Sequence, residues 1–111
     1  MTVGEWLAQR QPAPPAALLA RIETVLGDAW AYGADAAGEA CLHAAERVVT
    51  ELLRGDSASR ESALDLLVAD ALVTYAFEAA AETPATLAGT ATAAMERIAR
   101  LGAARREGAI A

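Results

Sequence analysis

The chain has 111 residues, enough for one domain and one hydrophobic core but not for two. A hydrophobic content of 55% excludes intrinsic disorder over most of the length, and an aromatic content of only 5% argues against a sheet. A formal net charge of −6 leaves no positive footprint for a phosphate backbone, so nucleic acid is not an expected partner.

Thr2 and Glu5 fit a capping box that opens a short helix over residues 3–10, with Trp6 and Leu7 as its apolar side chains. These first residues lack a basic stretch followed by an apolar core, so no signal peptide is expected. Gln11-Pro12-Ala13-Pro14-Pro15 cannot prolong the helix, because proline lacks the amide donor and clashes with the preceding turn. Residues 1–15 therefore read as a short helix and a stiff, Pro-rich connector. Pro15 suits the start of a second helix, on which Leu18, Ile22, Val25 and Leu26 recur at helical spacing; Gly27 is expected to fray or stop it, with the tail through Trp30 left open. Ala31 to Ala34 reads as a turn.

Asp35 is the expected cap of a third helix running to Arg54, with Gly55 as its stop. Leu42, Ala45, Val49 and Leu52 form its apolar face. Glu39, His43 and Glu46 stand at i, i+4 and i+7, a spacing that shares one face and could ligate a transition metal. A helical wheel puts these three with Thr50 opposite the apolar residues, which predicts a solvated face. Glu-x-x-His, the di-iron bundle signature, is absent; the order here is His43-x-x-Glu46. Cys41 is the only cysteine and projects to the apolar side, so it is expected to be a buried structural thiol in a reducing, cytoplasmic setting.

Asp56-Ser57 is the expected cap of a fourth helix reaching Glu82. Its segment Ala63–Ala81, ALDLLVADALVTYAFEAAA, is apolar almost all the way round and should be the most buried part of the molecule. Asp70 at mid-run opposes insertion in a bilayer, at a cost of about 2.5–3.5 kcal/mol. Asp70, Thr74 and Glu78 recur at i, i+4 and i+8 as a polar stripe, either an edge open to water or a site. If they are buried, the two carboxylates need a cation or an arginine from a neighbouring helix, such as Arg21, Arg47 or Arg97. Leu67 to Glu78 locally resembles a helix of the trans-polyprenyl diphosphate synthases that reads Ala-Gly-Asp-Ala-Leu-x-x-x-Ala-Phe-Glu. The Asp-Asp-x-x-Asp magnesium motifs of those enzymes do not occur in this chain, so the resemblance carries over no catalytic residue.

Thr83-Pro84 pairs a cap with a first-turn proline and opens a fifth helix. Leu87, Ala91, Ala94, Met95, Ile98 and Leu101 make one stripe on it. Gly102 should begin its fraying, and residues 107–111 should form a loose tail. Arg97, Arg100, Arg105 and Arg106 complement the dipole at its C-terminal end. All nine basic residues of the chain are arginine, a bias expected of a GC-rich, bacterial coding sequence.

These elements predict an all-α fold: a compact antiparallel bundle of four main helices plus a short N-terminal helix, as a single domain over residues 1–111. No Gly-rich phosphate loop, nucleophile elbow or paired zinc cysteines accompany it, and no cofactor is called for. The expected role is a small non-catalytic interaction or oligomerisation module, self-associating as a dimer or serving as a subunit of a larger assembly. The alternative is a bundle that binds a metal or small ligand through Asp70 and Glu78, in concrete form a magnesium-dependent phosphate-ester hydrolase, with Glu39, His43 and Glu46 as a weaker metal set.

Overall fold

Local signals in the sequence account for most helix boundaries in the computed structural model, which describes residues 1–55 and 59–110; within the last helix, the side chains at 84–87, 90 and 108–110 are outside the described set. Helix α1, Val3–Ala8, opens on the full capping box: Thr2 Oγ1 accepts from the Glu5 amide and the Glu5 carboxylate accepts from the Thr2 amide, each at 3.1 Å. Those hydrogen bonds hold the Glu5 carboxyl below its ordinary pKa. Helix α2, Ala16–Leu26, begins after Pro15 and ends at Gly27, whose φ of 54° only glycine adopts without strain.

Two 3-10 segments, Gly27–Ala31 and Ala34–Ala36, lead to helix α3, Ala37–Arg54. Asp35 is therefore not the cap of α3; it lies in the second 3-10 segment, and the N-cap is Ala36 with no side-chain hydrogen bond. The tighter turns consume the residues that the helix would have started on. Gly55 closes α3 as expected, its amide donating to the Glu51 carbonyl at 3.1 Å. Asp56 and Ser57 lie outside the described residues, and the cap of helix α4, Arg60–Ala81, is Ser59, whose Oγ accepts from the Ser62 amide at 3.0 Å. Helix α5, Pro84–Ile110, continues through Gly102 and past residue 107, where a frayed tail was expected. Its alanine-rich sequence keeps helix propensity high, and Arg105 reaches the Leu53 carbonyl near the end of α3 at 3.5 Å.

Among the described residues the long helices form an antiparallel bundle without strands, and the only extended pairing is an isolated bridge between Thr2 and Gly33. The α3–α4 pair is by far the most extensive contact. Gly38, at the start of α3, lies against Ala76 and Ala79 near the end of α4, which makes the two helices antiparallel. Arg97 meets Glu39 and Glu46 while Arg105 meets Leu53, so α5 runs alongside α3 in the same direction. The core gathers Val3, Trp6 and Leu7 of α1, Ile22 and Leu26 of α2, Cys41 and Leu42 of α3, and Val68, Leu72 and Tyr75 of α4. Ala37, Ala44, Ala45, Ala69, Ala76 and Ala94 fill the space between, where a single methyl allows helix axes to come close.

Helix α4 is not the wholly buried rod that its composition suggests. Val68, Ala69, Leu72, Tyr75, Ala76 and Ala80 are buried, but Leu66 and Leu67 are 62% and 58% exposed. Three long neighbours would be needed to enclose it, and α2 reaches only part of its length. Among the described residues no helix is long and apolar enough to cross a membrane.

Candidate functional site

The polar stripe of α4 divides into two environments. Asp70 is exposed to water, and the Thr74 hydroxyl donates back to the Asp70 carbonyl at 2.9 Å, a bond within the helix. Glu78 lies two turns on, half-buried against α1. There Arg10 Nη1 stands 3.7 Å from Glu78 and 3.6 Å from Glu82, and its guanidinium lies 3.9 Å from the centre of the Trp6 ring. Trp6 is itself buried and donates from Nε1 to Glu82 at 3.0 Å. Glu78 thus receives a protein cation, and α1 is fastened to the end of α4 by an Arg10–Trp6–Glu82 cluster. Arg10 and Glu82 are partners that sequence spacing does not reveal; the i, i+4 spacings of Trp6 with Arg10 and of Glu78 with Glu82 are the signals that could have drawn attention to them.

The arginines considered for Asp70 and Glu78 go elsewhere. Arg21 makes a two-pronged contact with Asp65, at 3.0 and 3.2 Å, which ties α2 to α4. Arg47 donates to the Val25 carbonyl at the end of α2. Arg97 reaches Glu39 at 2.7 Å and Glu46 at 3.6 Å.

This last contact revises the polar face of α3. Glu39 and His43 are exposed, but Glu46 is half-buried, and the edge carrying the two glutamates is the seat of an arginine from α5. The Glu39 hydrogen bond raises the Arg97 pKa above the ordinary arginine value, so the cation is permanent. With both carboxylates turned to one guanidinium, Glu39, His43 and Glu46 do not converge on a common point. Among the described residues no three His, Cys, Asp or Glu side chains are placed to hold a metal ion, around Asp70 and Glu78 or elsewhere.

Cys41 is fully buried in the core, and burial pushes its pKa up to about 12. Its thiol is a packing group, as its apolar register on α3 implies. Burial also raises the Tyr75 hydroxyl, with Glu78 adding to the effect. Of the aromatic residues near helix ends, Trp6 seals α1 to α4, Trp30 lies against Gly4, and Tyr32 is 54% exposed.

The largest departure from an ordinary monomer surface is apolar. Leu66 and Leu67 on α4 and Met95 and Ile98 on α5 are exposed, the last two at 70% and 45%. Leu66 and Ile98 lie at nearly equal distances from the connection between their helices, roughly 23 Å at 1.5 Å per residue. Met95 is about one turn nearer to the connection, so it is Leu66 and Ile98 that are matched in height along the α4–α5 hairpin. Compared with known proteins, the chain matches no family model, no curated protein and no solved structure.

Proposed function

We propose that the chain is a non-catalytic helical module that acts by association, and that its first partner is a second copy of itself across the outer face of α4 and α5. The observation that carries this is the exposure of Leu66, Leu67, Met95 and Ile98 on two adjoining helices that also expose small residues such as Ala63, Ala93 and Ala99. Each such side chain leaves apolar area in water at a cost of about 25 cal/mol per Å². Soluble monomers avoid gathering it in one place, whereas alanine neighbours let a partner backbone come close enough to cover it. A two-fold pair is the simplest cover, because one patch then serves both sides.

Light scattering behind size exclusion tests this directly. A dimer mass is expected for the native chain at tens of micromolar. Leu66→Glu combined with Ile98→Glu is expected to give a monomer with an unchanged helical circular-dichroism spectrum, since both positions already contact water. A monomer mass for the native chain at that concentration overturns the proposal.

A further inference from the structure

On the other side of α3 from α4, a groove of about 560 Å³ opens between the end of α2 and the outer face of α3. Its floor is apolar, with Leu26, Ala29 and Ala40 prominent in it. Its polar groups are divided by sign. Asp28 stands on the 3-10 segment that follows α2, and His43 and Arg47 stand one turn apart on α3. Glu39 also borders the groove, but its charge is met by Arg97 at 2.7 Å.

Two of these four groups are not committed to the protein. Among the described residues neither the Asp28 nor the His43 side chain has a hydrogen-bond or ion-pair partner. Arg47 has one contact, from Nη2 to the Val25 carbonyl, which anchors its guanidinium at the groove edge and leaves its other donors to solvent. The volume lies within the range of small-molecule sites, roughly 300–1,000 Å³, and the composition is theirs too: an apolar surface with a few polar groups that set orientation.

A simple anion would meet Asp28, and a simple cation would meet Arg47. We propose that the groove binds an apolar zwitterion of about dipeptide size, with its carboxylate toward Arg47 and His43, its ammonium toward Asp28 and its side chains on the floor. This site is separate from the α4–α5 face, and its existence does not depend on self-association.

Dileucine, N-acetyl-dileucine and dileucine amide are the probes, each titrated into the full-length protein and followed by amide chemical shifts. Dileucine is expected to give saturable shifts at Ala29, Ala40 and His43, and blocking either terminus is expected to weaken binding by about tenfold. Arg47→Gln, which keeps a donor for the Val25 carbonyl, should abolish the preference over the amide, and Asp28→Asn the preference over the acetylated form. Absence of saturation by about 10 mM, equal binding of all three probes, or shifts confined to α4 and α5 would each overturn the proposal.

Discussion

Helix α4 presents leucines in two directions with opposite outcomes. Toward α3, Leu72 is fully buried, and Gly38 is close enough that an added Cβ would lie 3.4 Å from the Ala79 Cβ. On the side turned away from the core, Leu66 stays 62% exposed. The residue type is the same, so hydrophobicity alone does not decide burial. What differs is the neighbour: α3 brings glycine and alanine to the seam and allows close approach along its length, while α5 makes far less contact with α4. Mutations on the two sides should therefore differ in kind as well as in size.

The largest effect is expected from Leu72→Asp, which places a carboxylate without a partner in the α3–α4 seam. Such burial costs several kcal/mol, on the order of the whole stability of a domain this size. Circular dichroism should show no cooperative thermal transition; a melting temperature equal to that of the native chain would contradict the burial of this face.

Gly4→Ala tests the N-terminal attachment. A Cβ at Gly4 would overlap the Trp30 indole, so α1 or the ring must shift. Overpacking of this kind costs about 1–3 kcal/mol. Chemical denaturation should show the loss, with a change in tryptophan fluorescence as Trp30 moves. Unaltered stability and emission would mean that the Trp30 contact contributes little to holding α1.

Cys41 supplies a pH test of the α3–α4 core. Its pKa rises from the ordinary 9.0 to about 12 on folding, so the folded state keeps a proton that the unfolded chain releases. The stability associated with the neutral thiol is complete below pH 9 and is lost as the pH climbs toward about 12. Denaturation midpoints should fall over that window, and the fall should be shallower in Cys41→Ala. Alkylation at pH 8 should be slow until the protein unfolds; rapid modification of the native protein would show an open thiol.

Glu39→Ala should have the smallest effect. It removes the Arg97 contact at 2.7 Å, but Glu39 is 67% exposed and Glu46 remains, so a loss of about 0.2–1 kcal/mol is expected. A larger loss in urea denaturation would show that the Arg97 seat, rather than apolar packing, is what holds α5 to α3.

The all-α class and most helix limits are legible in the amino-acid order alone. The Thr2–Glu5 box, the positive φ of Gly27 and the Gly55 amide bond to Glu51 act within a few residues, and such signals are the same in any fold. Where such local signals competed, as at Asp35, the 3-10 turns were not foreseeable, because the path of the chain between α2 and α3 depends on where those helices dock. That Arg10 serves Glu78 and Glu82, that Arg97 lies across Glu39 and Glu46, that Leu66 and Leu67 face water and that Asp28 and Arg47 border one groove follows from helix packing alone. Each depends on the offset and rotation of one helix against another. The helical period specifies which residues share a face, but the neighbour that covers that face is set by packing between distant segments.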